Sequence, residues 1–281
     1  MTSIAHAPQF GAASAHTLNV NGEGQAQSVT LQLTALMLAL LVPTALGMMF
    51  DARLTHGVNG WLKPLKFELS LAIHFGTLAL LLGLIAPAVR AGRLIQWSML
   101  TASVLAALEV AYIMVQAGRA RGSHFNSATR FEEVAYALMG LGAATIVILT
   151  FVAGLMLWRH PRPGVTPAMR IAAAGGLMFS GVATLLIAGY MSQRGAHWVG
   201  VPSDASALPI VGWSTKGGDL RAPHFFATHA AQAVPLFALV WERLKPNSTA
   251  LPVTVFLALY AAFTVAVFVQ ALMGLPFLPW R

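Results

Sequence analysis

The chain has 281 residues, of which 57% are hydrophobic and only 9% charged, against about 25% charged in an ordinary soluble domain. That balance excludes a free aqueous globule and points to an integral membrane protein. The formal charge of +8 comes from 17 Lys and Arg residues scattered between apolar segments, which reads as membrane topology and excludes nucleic acid as a partner. Cysteine is absent, so disulfides, thiolate metal sites and a cysteine nucleophile are ruled out while His, Met and carboxylate chemistry stays open.

Residues 1–28, rich in Ala, Gly, Ser, Asn and Gln and without Lys or Arg, lack the basic segment of a signal peptide and are expected to form a mobile tail. Residues 29–281 are expected to fold as one all-α polytopic bundle with no separate soluble domain. Seven stretches reach the roughly 20 apolar residues that a bilayer crossing needs: 29–50, 64–88, 94–117, 131–158, 168–192, 224–243 and 249–276. The sixth is the weakest of them. Pro64 and Pro223 fall where helices begin, positions that tolerate a missing N–H. Gly140, Gly142 and Ala144, and Ala172, Gly175 and Gly176, are small residues that let backbones approach. No internal repeat of the kind found in many secondary transporters is visible.

The N-terminal face, termed the first face, receives short basic loops carrying Arg90, Arg93, Arg159, Arg162, Arg170, Arg243 and Lys245. The second face carries more cations, mixed with acids, histidines and tryptophans. Site cations do not act as topology signals, so the first face, and with it the N-terminus, is placed in the cytoplasm. On this topology the Asn247–Ser248–Thr249 triplet is no glycosylation site.

Three ionisable residues lie inside expected spans: His74, Glu109 and His229. Such a group costs at least about 2.5 kcal/mol to insert and is usually kept for a partner or a task. At 1.5 Å per residue they sit about 15, 12 and 9 Å below the second face, so the expectation is convergence in one pocket. Glu109, Tyr112 and Gln116 follow at helical spacing, as do Lys66, Ser70 and His74, and Gln232 lies one turn beyond His229. Neutral imidazole binds Zn, Cu and Fe, and a carboxylate can complete the shell. His74, Glu109 and His229 are therefore expected as ligands of haem b or a transition metal, with Tyr112, Gln116 and Gln232 around the cofactor. The plainer alternative for each histidine is an interhelical hydrogen bond. His224 and His229, about 140° apart on a helix, do not easily share a metal.

The loops of the second face hold the remaining candidates. Arg119, Arg121, Lys216 and Arg221 read as a mouth for an anion or substrate, or as cations touching lipid headgroups. The 193–223 loop exceeds the roughly 15 residues beyond which loops are usually functional or disordered, and its Trp, Pro and Ile content reads as a packed lid. The segment from Gly212 lacks the spacing of a phosphate loop.

The strings GVNGWLKPLKFELS, QAGRARGSHFN and GDLRAPHFFATHAAQ resemble recurring signatures of a group of uncharacterised bacterial multi-span inner-membrane proteins. The resemblance covers about half the chain and implies no activity. The leading expectation is thus a bacterial inner-membrane protein whose pocket opens away from the cytoplasm and holds haem or a metal for binding or redox work. Its partners would be the bilayer and a small-molecule or metal ligand. The alternatives are a small transporter or channel for protons or a polar or anionic solute, with Glu109 titrating, and a metal-independent membrane enzyme with His124 or His224 as base and Asp219 orienting it. A structural role as an assembly subunit is a fourth.

Overall fold

The computed structural model describes residues 24–55, 57–201, 207–208, 211–246 and 248–278. Most of the expected tail, residues 1–23, and Asn247 of the glycosylation triplet lie outside the described residues. Among the described residues eight helices run α1 Gln25–Phe50, α2 Leu62–Leu82, α3 Pro87–Arg90, α4 Arg93–Gly118, α5 Arg130–Arg159, α6 Pro167–Arg194, α7 Arg221–Leu244 and α8 Leu251–Leu272. Two short antiparallel hairpins accompany them, β1 Leu54–Thr55 with β2 Val58–Asn59, and β3 Trp198–Val199 with β4 Gly218–Asp219. A helix satisfies its own backbone, which is why it suits hydrocarbon. Pro64 and Pro223 each occupy the third position of their helix, where no intrahelical donor is lost.

Among the described residues six helices, α1, α2, α4, α5, α6 and α8, are long and apolar enough to cross a membrane, and Leu, Val, Ile and Phe side chains cover their outer surfaces. The chain is a multi-span integral membrane protein. The expected count of seven falls to six because α7 carries Arg221, His224, His229, Gln232, Glu242 and Arg243. Even so, α7 runs antiparallel beside α6 along its length. Thr166 at the start of α6 hydrogen-bonds Glu242 near the end of α7, and farther along Ser180 Oγ donates to the Thr228 carbonyl at 3.0 Å. Outward, α7 presents Phe225, Leu236, Leu239, Val240 and Leu244, while Ala222, Ala227, Ala230, Ala231 and Ala238 are buried.

The loops sort onto two faces as expected. On the first, the Ala86 N–H donates to the His160 carbonyl at 2.9 Å and that of Arg162 to the Leu84 carbonyl at 2.7 Å. On the second, Arg53 reaches the Gly118 carbonyl at 2.8 Å and Lys66 reaches the Val211 carbonyl at 3.3 Å. Among the described residues of the 195–220 connection, β3 pairs with β4, and buried Trp213 packs edge-on against Phe225 and Phe277.

Small residues set the tightest helix contacts, though not everywhere they were expected. A Cβ on Gly181 would lie 2.8 Å from Phe151 Cβ and 2.9 Å from the Val147 carbonyl, and one on Gly176 would lie 2.9 Å from the Ala230 carbonyl. Gly140 has nothing within 4 Å of its added Cβ, so its expected packing role is not met. Gly181→Val is expected to destabilise the bundle by about 1–3 kcal/mol through overpacking. Gly140→Ala should be neutral or stabilising by up to about 1 kcal/mol from helix propensity. Thermal unfolding of the two variants in detergent checks the contrast.

Candidate functional site

The candidate residues divide into two groups. The outer one is built around the loop joining α4 to α5. Glu132, 1% exposed in the first turn of α5, accepts from Gln116 Nε2 of α4 at 3.2 Å and from Arg121 Nε at 2.9 Å. Thr129, the N-cap of α5, donates its hydroxyl to Glu132 Oε2 at 3.0 Å and accepts the Glu132 N–H at 3.2 Å. This reciprocal cap is a close variant of the capping box. Arg119 donates to Gln116 Oε1 at 2.8 Å, and Gln116 Nε2 also approaches Tyr112 Oη at 3.1 Å. Arg119 and Arg121 each have an internal partner, and Arg119 is exposed while Arg121 is half-buried.

This knot folds the loop back against the bundle. Ala120 and Phe125 adopt φ of 54° and 52°, the left-handed region in which a non-glycine residue stores roughly 1–3 kcal/mol of strain. Between them His124 rests against Phe67 and Tyr136 at centroid distances of 5.5 and 6.0 Å. Its Nε2 lies 3.8 Å from Glu109 Oε1, with 25% of the His124 side chain exposed against 9% for Glu109. Burial, and then the charge of Lys63, lower the His124 pKa to about 3. The ring is therefore neutral at neutral pH, and 3.8 Å is neither an ion pair nor a hydrogen bond. Lys63, near the start of α2, also lies within electrostatic reach of Glu109.

The deeper group joins α2, α5 and α7. Thr150 Oγ1 donates to the Ile146 carbonyl at 3.0 Å, so the 3.1 Å contact with His74 has His74 Nε2 as donor. His74 Nδ1 is then a bare acceptor, and it is buried with no hydrogen-bond partner. Thr77 Oγ1 donates to the Ile73 carbonyl and accepts from Gln232 Nε2 at 3.3 Å. That fixes the amide, so Gln232 Oε1 accepts from His229 Nδ1 at 3.3 Å and His229 Nε2 is left unprotonated. His74 and His229 are within electrostatic reach of each other, as are His224 and His229.

The expected convergence of His74, Glu109 and His229 is not met. Glu109 turns to Lys63 and His124, whereas His74 lies eleven residues beyond Lys63 on α2, about 16 Å along the axis. Among the described residues no three His, Asp or Glu side chains gather as a metal-ion ligand set. Gln232 does meet His229, while Tyr112 and Gln116 belong to the outer group. Asp219 is bound by Arg221 at 2.6 Å and by the Ser214 N–H at 2.9 Å. Lys216 is exposed. Sequence reasoning did not single out Lys63 or Glu132, although Thr129 three residues before Glu132 was a readable capping signal. Comparison with family models, curated proteins and solved structures finds no match to this chain.

The His124 ring implies an acid-sensitive fold. The unfolded chain binds this proton near 6.5 and the folded protein only near 3, so within that window the unfolded state holds the extra proton and stability falls as pH drops. His124→Gln is expected to flatten this part of the profile, checked by melting temperature in detergent from neutral to mildly acid pH. Arg121→Ala, which strips a partner from buried Glu132, should lower the melting temperature more than Arg53→Ala, which breaks the exposed pair with Asp51.

Proposed function

We propose that this protein passes protons, alone or with a small polar or anionic solute, between its second face and the interior of the bundle. The observation that supports the reading is the meeting of Lys63, Glu109 and His124, brought from α2, α4 and the α4–α5 loop to one point beneath that face. A carboxyl group and a neutral imidazole at 3.8 Å need a closure of only about 0.6–1 Å to share a proton. His124 is the more exposed of the two and stands as the outer member, with Glu109 as the inner one. Farther along α2, His74 with Thr150, and His229 with Gln232 and Thr77, extend polar groups toward the middle of the bundle. Ionisable residues kept inside spans are functional candidates by default.

In this reading α7 crosses the membrane as a seventh helix, with its polar face inward, and the 195–220 connection acts as a lid. The membrane is the bacterial inner membrane with the first face cytoplasmic, in keeping with the resemblance of the GWLKPLKF and QAGRARGSHFN strings to inner-membrane proteins.

A second reading, haem b or a transition metal held by His74 and His229 for binding or redox work, is favoured by one observation. His74 Nδ1 and His229 Nε2 are both left as bare nitrogens, the two residues lie within electrostatic reach of each other, and neutral imidazole is the commonest metal ligand. It requires donors beyond these two. A Soret band or stoichiometric metal in purified protein, lost when both histidines are replaced by Ala, would select it.

In proteoliposomes, an imposed membrane potential is expected to drive proton uptake that Glu109→Gln reduces to the protein-free background while the variant keeps its melting temperature. Uptake by that variant equal to the unaltered protein would sink the proton reading.

A further inference from the structure

A second carboxyl lies inside the bundle, away from both groups above. Glu68 of α2 is fully buried, at 0% exposure. Its Oε1 accepts from Thr44 Oγ1 of α1 at 2.6 Å, and its Oε2 has no hydrogen-bond partner. Thr44 is unusual in this chain. Thr30, Thr34, Thr145, Thr150, Thr254 and Thr264 each turn their hydroxyl onto their own helix, whereas Thr44 donates across to Glu68. It directly follows Pro43, which carries no N–H and leaves a carbonyl one turn back without its helical donor.

No positive charge offsets the carboxyl. Helix α1 contains no ionisable residue between Gln25 and Phe50, and the residues one turn away on α2 are Pro64, Leu65, Leu71 and Ala72. Lys66 is engaged with the Val211 carbonyl, Lys63 and Glu109 of α4 belong to the outer cluster, and His74 bonds Thr150. Among the described residues no ion pair includes Glu68. A bare carboxylate with one hydrogen bond in such a place is strongly disfavoured against the neutral acid.

We propose that Glu68 is a proton-binding site at the α1–α2 interface, occupied in the closed bundle, with Thr44 on its carbonyl oxygen and the proton on Oε2. Release of that proton requires α1 to move off α2 far enough to let a solvating group reach Oε2. The site is independent of the Glu109–His124 pair and stands whether or not that pair carries protons.

Infrared spectroscopy of the full-length protein in nanodiscs tests it. At neutral pH a protonated-carboxyl C=O band is expected that shifts in D₂O, disappears in Glu68→Gln and survives Glu109→Gln. Thr44→Val removes the donor to the carbonyl oxygen, so it should move the same band to higher frequency. Because Gln can still accept from Thr44, Glu68→Gln is expected to fold. Should it fail to fold, the Thr44→Val shift decides alone. Absence of a Glu68-dependent protonated band, or a band that Thr44→Val leaves in place, overturns the proposal.

Discussion

Glu132 is the constraint from which the outer site follows. A carboxylate with almost no exposure to solvent must be given donors from the protein. Here the donors come from three segments: Gln116 at the end of α4, Arg121 in the loop and Thr129 at the cap of α5. Bringing all three to one point leaves the intervening loop no freedom to extend away from the bundle. Ala120 and Phe125 take up positive φ as a result, and the turn between them sets His124 over Glu109. The imidazole stands where it does because a neighbouring acid had to be satisfied.

The helices were legible because hydrophobic length survives small errors of boundary. The start of α5 was expected at 131 and lies at Arg130, and the expected span 168–192 became Pro167–Arg194. The second span ends earlier than expected, at Leu82, since Gly83 and then Pro87 break the run before Arg90. The site was less legible. Counting along a helix gives height and says nothing of the direction in which a side chain leaves it, and direction separates Glu109 from His74 and His229. The partners of the cations were not legible for a related reason. Arg221 lies two residues from Asp219 and Arg119 three from Gln116, and such neighbours close locally in a way a list of charges does not reveal. Glu68 drew no notice because one acid near a span end reads as a boundary charge.

Helix α7 shows how a helix that lines a polar interior differs in composition from the six candidate spans. Averaged over its length it is too polar to pass as a span, yet its polar residues point inward or lie at its ends while Leu and Phe face outward. Small side chains on its buried face let it approach the α6 backbone, where Gly176 meets the Ala230 carbonyl. Close approach of the backbones is what allows Ser180 and Thr184 to reach Thr228. Polarity and tight packing are thus two parts of one arrangement, in which inward polar groups are satisfied by neighbours that small residues permit.

The loops of the two faces are tied to their neighbours in different proportions by backbone and side-chain bonds. On the first face, backbone hydrogen bonds tie the turn after α2 to the turn after α5, the isolated bridge between Ile85 and Pro161 extends the contact, and Arg170 stacks on Trp158 at 4.5 Å. On the second face the α4–α5 loop is fastened chiefly by side chains, Gln116, Arg119, Arg121 and Thr129, and the 195–220 connection touches α2 through Lys66. Side-chain contacts exchange partners by rotamer changes, whereas a turn held by paired backbone groups must break its ladder. Polar and ionisable groups also gather toward the second face. The half of the bundle that holds the candidate residues is therefore the half whose loops are fastened more by side chains.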